Sequence, residues 1–288
     1  MEKIKIFTRS FDLKLYRLSR KLFEGLGLPV VRLTDQSADG YFYTMLKDTD
    51  CDIAINIDED AFITDPEAVM KLVRYVIDNG YANAGCPDGG GYCARPASAN
   101  PLVTNPFFNI FNLKLIRTKF DRKAVRDFCY ADHKQEMIAA YPQERLETKY
   151  SFDQTEQEPY YPFFLWLAYN FKTLYLPSKR HDDGMTTILL DPQGNTLCLH
   201  TWFARFYTTP TWIVKLFDSR RRGMQKKRID AVIDQAYAIR GMDRPVFGLT
   251  DRLAFLGNKI IRWIIKVPQR VSRWPYKIRK KITRWHSS

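Results

Sequence analysis

Apolar positions in the first half of the chain switch repeatedly between a period near two and a period near 3.6. Residues 3–8 (KIKIFT) form a short β-rich run, after which Leu13, Leu15, Leu18 and Leu22 follow a helical pattern that Gly25 and Gly27 end. Residues 29–33 (PVVRL) predict a second strand, residues 41–47 a short helix, and residues 52–57 (DIAINI) a buried strand bounded by acidic residues. The next helix has Pro66 in its first turn and Asp65 or Thr64 as cap. It turns Val69, Leu72, Val73 and Val76 inward and stops at Asn79 and Gly80. This is a βαβαβ opening, the signature of an α/β domain.

Residues 81–87 predict another strand, followed by a loop, DGGGYCARPASANP, too rich in Gly, Pro and Ala for regular structure. A strand-like segment, NPFFNIFNLKLI, comes next, then one helix over residues 122–140 and an aromatic helix starting at Glu158 and Pro159. Residues 173–176 predict a strand. Residues 188–190 and 196–200, separated by DPQGN, predict a hairpin.

Charge changes the picture at one end only. The chain has 288 residues and a net charge of +13, yet residues 252–288 hold eleven Lys or Arg and no Asp or Glu, which leaves 34 basic and 32 acidic residues in the first 251. A domain over residues 1–250 and a basic tail over 251–288 are therefore expected. The tail places Leu253, Leu256, Ile260, Trp263, Ile264 and Val267 at spacings of three and four, next to Arg252, Lys259, Arg262 and Lys266. Pro268 is expected to interrupt this helix. Membrane surface, nucleic acid and the chain's own domain are competing partners for it. A phosphate-binding arm gains little from Ile260, Ile261, Ile264 and Ile265, so the aliphatic content favours an anionic membrane surface over nucleic acid. A second basic cluster, Arg220 to Arg222 with Lys226 to Arg228, either extends that face or is solvated.

The five cysteines (Cys51, Cys86, Cys93, Cys129 and Cys198) contain no CxxC pair, which argues against a disulfide framework and a structural zinc site. No secretory signal is visible, and no stretch reaches the roughly 18 apolar residues a membrane span needs. The expectation is a peripheral protein at the cytoplasmic face of a membrane.

The string CDIAINIDEDAFITDPE carries the candidate chemistry. An apolar strand ends at Asp58, Glu59 and Asp60, and in extended backbone Asp58 and Asp60 project to one side, where they can converge on a divalent cation. The carboxyl edge of an α/β sheet is where such folds bind ligands. Thr8 and Arg9 at the end of the first strand are candidates to contact a nucleotide, as is Asp35 after the second. His200 follows the alternating strand TLCLH, with His181 in KRHDDG as its competitor.

On the DxD of Asp58, Glu59 and Asp60, the preceding βαβ order and the downstream His200, the chain resembles nucleotide-sugar-dependent glycosyltransferases of the GT-A fold, of the type that builds bacterial surface polysaccharide or lipopolysaccharide. The first loop departs from the pattern: TRSFD stands in place of the proline-tyrosine-asparagine turn of the largest inverting family. The resemblance implies a single GT-A-like (Rossmann-like) mixed sheet flanked by helices. It also implies Mn2+ or Mg2+ held by Asp58 and Asp60 with His200 as third ligand, a nucleotide-sugar donor (UDP-sugar first) and a saccharide or lipid-linked acceptor. An inverting transfer needs a base: Glu158, flanked by aromatics, is the first candidate and Asp153 the second. Two rivals remain open, a haloacid-dehalogenase-type phosphatase using Asp58 as nucleophile and a nucleic-acid-binding protein driven by the tail.

Overall fold

The computed structural model describes residues 2–34, 36, 40–89, 99–146, 150–155, 158–204, 207 and 222–272. Asp35, Cys93, Gly90 to Tyr92 of the glycine-rich loop, Arg220 and Arg221 of the second basic cluster and the tail beyond residue 272 lie outside them.

The opening follows the sequence pattern closely. Strand β1 (Ile4–Arg9) leads to helix α1 (Leu13–Phe23), whose cap Asp12 accepts from the amides of Lys14 and Leu15. Gly27, at φ 65, ends the turn after it. Then come β2 (Val30–Leu33), α2 (Tyr41–Lys47), β3 (Ile53–Ile57), β4 (Ala61–Ile63) and α3 (Pro66–Asp78), the last capped by Asp65 through the Ala68 amide. β5 (Asn83–Gly85) and β6 (Phe108–Asn112) follow, then α4 (Leu113–Ile116).

The helix expected over residues 122–140 is two, α5 (Arg122–Asp127) and α6 (Tyr130–Ala140), because Phe128 and Cys129 take extended backbone between them. The aromatic helix α7 (Tyr161–Asn170) begins at Tyr161, with Pro162 rather than Pro159 in its first turn. β7 (Thr173–Tyr175), β8 (Ser178–Arg180), β9 (Thr187–Leu190) and β10 (Thr196–His200) close the strand set. In the β9–β10 turn the Asp191 carboxylate accepts from the amides of Gln193 and Asn195. Two long helices are the last described elements, α8 (Arg222–Ile239) and α9 (Leu249–Ser272). α9 runs through Pro268, contrary to expectation; a proline removes one intrahelical bond and can kink a helix without ending it.

The strands form two sheets. A six-stranded mixed sheet has the order β2-β1-β3-β6-β5-β7, with β6 antiparallel to both neighbours, and a four-stranded antiparallel sheet has the order β4-β10-β9-β8. The second sheet is an addition to the single sheet expected: β4 and β8 are three residues each, too short to show a periodicity. Ile53, Ile55 and Ile57 of β3 pack under α3 with Val69, Leu72, Val73 and Val76, while Phe7 and Phe111 on the other face meet Phe42, Phe163 and Phe164 of α2 and α7. A third cluster joins Leu15, Leu18 and Leu22 of α1, Phe62 and Leu199 of the second sheet, and Ile229, Val232, Ile233 and Tyr237 of α8. The four described cysteines form no disulfide with one another, and no helix among the described residues is long and apolar enough to cross a membrane.

Candidate functional site

The acidic tripeptide is a tight turn between the two sheets, not the extended end of a strand. Ala61 N donates to Asp58 O at 3.0 Å, so the chain leaves β3 at Ile57 and, with three residues between, enters β4 at Ala61. The three carboxylates consequently point to different partners. Asp58 is buried and its Oδ2 accepts from Arg9 Nη2 at 2.7 Å. Glu59 is buried in the loop before α1, its Oε2 accepting from Ser10 Oγ at 3.0 Å, Phe11 N at 2.9 Å and Asp12 N at 2.6 Å. Asp60 faces His200, with Oδ2 3.5 Å from Nε2.

Strand register explains that last meeting. β10 pairs antiparallel with β4 so that His200 stands opposite Ala61, which sets the imidazole beside residue 60 across some 140 positions of sequence. Phe107 stacks on the imidazole at 4.1 Å and 12°, and Trp202 flanks it at 4.6 Å. After His200 and Thr201, Trp202 and Phe203 hold left-handed backbone at φ 54 and 55, uncommon for bulky residues. The Trp202 indole donates to Thr187 Oγ1 at 2.8 Å, and Arg228 of α8 donates to the carbonyls of Thr201 and Trp202. Arg228 is thus a largely buried tie and not a solvated member of the basic cluster.

The electrostatics follow from burial. Desolvation pushes the Asp58 carboxyl up to about 6, against the pull of Arg9. It pushes Glu59 up to about 8 against its three donors. Burial acts on Asp60 in the same direction, but His200 and Arg9 outweigh it and leave that carboxyl below its usual range. Arg9 lies over the Tyr41 ring at 5.2 Å, and Asp58, Tyr41 and Asp60 hold it charged in spite of burial.

A carboxylate oxygen and an imidazole nitrogen are both donors to a divalent cation. Two ligands about 2.1 Å from one ion stand roughly 3.0 to 3.5 Å apart, the separation of Asp60 Oδ2 and His200 Nε2. Asp58 Oδ1 and His200 Nδ1 are also buried without a hydrogen-bond partner. Asp58 is at present turned to Arg9, and among the described residues no three His, Cys, Asp or Glu side chains enclose an ion. The pair fits a metal; the expected triad is not assembled.

The other sequence candidates fall as follows. Thr8 is fully buried on β1, its Oγ1 without a partner. Asp35 is outside the described residues. His181 is structural: its Nδ1 accepts from Asp183 N at 3.1 Å and its Nε2 meets Gln235 Oε1 at 2.8 Å. Asp153 is turned to solvent, 79% exposed and paired with Lys134, apart from the buried cluster. Glu158 precedes α7, its carbonyl accepting from Tyr161 N.

A carboxylate passed over in the sequence is Asp88. Sequence pattern sets it only before a glycine run, yet it is fully buried just past β5, which runs parallel to β3 and so ends at the same sheet edge. Its oxygens accept from Asn105 Nδ2 at 2.5 Å, Tyr161 Oη at 2.9 Å and Tyr160 Oη at 3.2 Å. The adjacent Tyr-Tyr before an apolar helix was its one sequence signal.

No protein-family model matches the chain, and no curated protein sequence matches it. Solved structures with a similar course include a cytidylyltransferase from Leptospira borgpetersenii (14% identity, 86% of this chain and 100% of that one, TM-score 0.34). Another is the mannosyltransferase PcManGT from Pyrobaculum calidifontis in complex with GDP-Man and Mn2+ (9% identity, 90% and 80%, TM-score 0.33). A third is the galactosyltransferase LgtC in complex with donor and acceptor sugar analogues (11% identity, 86% and 99%, TM-score 0.33). These likenesses are distant, and the chemistry of the site rests on its own geometry.

Proposed function

We propose that the protein is a metal-dependent glycosyltransferase, moving a sugar from a nucleoside-diphosphate donor, UDP-linked in the first instance, to a saccharide or lipid-linked acceptor of surface polysaccharide or lipopolysaccharide. The observation that carries this reading is the Asp60–His200 pair: two metal-donor atoms 3.5 Å apart at the carboxyl edge of an α/β sheet, beside a partly buried arginine. Asp60 and His200 would hold Mn2+ or Mg2+, with the unpartnered Oδ1 of Asp58 as third protein ligand. When bound, such an ion stabilises the negative charge of a departing diphosphate.

The chain's own residues prepare the rest. Arg9, oriented by Asp58 and Tyr41, supplies fixed positive charge toward the same leaving group. Phe107 and Trp202 hold the imidazole plane, and Glu59 anchors the Ser10–Asp12 loop in which the donor nucleotide would lie. Glu158, just before the aromatic helix, is the carboxylate assigned here as acceptor base, while Asp88 holds Tyr160 and Tyr161 of that segment in place.

Calorimetric titration of UDP with and without Mn2+, and transfer from UDP-sugars, test the reading. Asp60→Asn should abolish the Mn2+-dependent part of UDP binding and lower turnover by at least roughly a hundredfold while leaving the melting curve in place. Equal Mn2+ dependence in parent and variant would reject the metal site.

A further inference from the structure

Helix α9 has two faces with different surroundings. Asp251, Phe255 and Asn258 recur one turn apart and all three meet α1: Asp251 pairs with Arg17, Phe255 lies under the Arg17 guanidinium at 5.3 Å, and Asn258 Oδ1 accepts from Leu13 N at 3.1 Å. The opposite face carries Leu249, Leu253, Leu256 and Ile260, at spacings of four, three and four, each between 50 and 74% exposed. Single exposed leucines are ordinary. Four on successive turns of one helix make a continuous apolar surface. Arg252 and Lys259, both exposed, flank the row, and the helix's one acidic residue, Asp251, is committed to Arg17.

We propose that this face of α9 docks on an anionic lipid bilayer, the helix lying in the interface plane with its leucine row in the acyl boundary and its flanking cations at the lipid phosphates. Charge selects the occupant: residues 252–288 contain eleven Lys or Arg and no acid, and the apolar row continues in sequence at Trp263, Ile264 and Val267. A second copy of the face would bring like charges together, and a nucleic acid would take the cations but leave the leucines in water. The α1-facing side of α9, opposite the leucine row, ends on Leu13, next to the Ser10–Asp12 loop that Glu59 clasps. A bilayer under α9 therefore lies near the carboxyl edge of β1. The inference does not rest on the transfer reading, since lipid binding is read without turnover.

Flotation of the full chain with vesicles of phosphatidylcholine alone, or mixed with phosphatidylglycerol, tests it. Binding to the anionic vesicles is expected, persisting in part at high salt. The double variant Leu253→Glu/Ile260→Glu, which alters only exposed side chains, should lose roughly tenfold or more in affinity with an unchanged melting curve. Arg252→Gln/Lys259→Gln should weaken binding at low salt and match the parent at high salt. Absence of flotation, binding that salt abolishes completely, or binding indifferent to the glutamate pair overturns the proposal. So does a dimer, seen by light scattering, that the glutamate pair dissolves while vesicles bind neither protein.

Discussion

Replacing Arg228 by Met keeps the aliphatic stem and removes every donor that ties α8 to the turn after His200. The guanidinium donates to Asp183 Oδ2 at 3.1 Å, Thr186 Oγ1 at 2.7 Å, Gln225 Oε1 at 2.9 Å, Trp202 O at 3.2 Å and Thr201 O. Arg228 and Asp183 are 12% and 15% exposed, so the variant leaves a largely buried carboxylate and two carbonyls short of a partner, a loss of about 3 kcal/mol. For a chain of this size that lowers the melting temperature by roughly 8 °C.

Acid supplies a second readout. The Asp183 carboxyl lies at about 2: burial works to raise it, but the Thr186 hydroxyl and amide, the Met185 amide and Arg228 outweigh burial. A depressed folded pKa gives stability that is present above the unfolded value near 3.9 and lost as pH falls through about 2, here about 2 kcal/mol shared among those donors. Part of that contribution is already gone in the variant, so the gap between parent and variant should narrow toward pH 2. Urea unfolding across that range measures both effects. A difference under about 1 kcal/mol at neutral pH, or one that stays constant into acid, would refute the tie.

At Gly85 an added Cβ would run into the Asn109 side-chain oxygen and stand 3.1 Å from Phe108 O, so Gly85→Ala should cost about 1 to 3 kcal/mol in chemical denaturation; a neutral result would mean the β5–β6 pair has slack. Glu59→Ala strands three donors and should cost about 3 kcal/mol, whereas Glu59→Gln keeps an acceptor and should cost less than 1. Because burial raises the folded Glu59 carboxyl to about 8, its contribution is full below the unfolded value and is lost as pH rises through 8; the Gln variant should lack that alkaline limb in a stability-against-pH curve.

Local pattern was enough to read the α/β opening of the chain. The helical row from Leu13 to Leu22, the Asp65 cap with Pro66, and the apolar DIAINI run each express a preference that neighbouring residues settle among themselves. Asp60 and His200 could each be named as candidates because carboxylates and an imidazole at strand ends stand out chemically. What local pattern gave no hold on was their relation. β4 and β8 are too short for a period, and Asp58 to Asp60 is a turn between sheets because β4 pairs with β10, a choice made by residues far along the chain.

The same limit explains the misreadings. Arg228 looks like part of a charge run until α8 is packed against the second sheet, and Asp88 looks like the start of a glycine loop until Tyr160 and Tyr161 close over it. The amphipathic pattern of α9 was legible, but not which side faces α1 and which faces outward, since a helix with two usable faces is oriented by its tertiary partner. The sequence by itself determined the elements and the chemical candidates, through short-range propensity and periodicity. Only the tertiary structure decided which candidates meet, because strand register and helix docking are set by burial and pairing between segments more than a hundred residues apart.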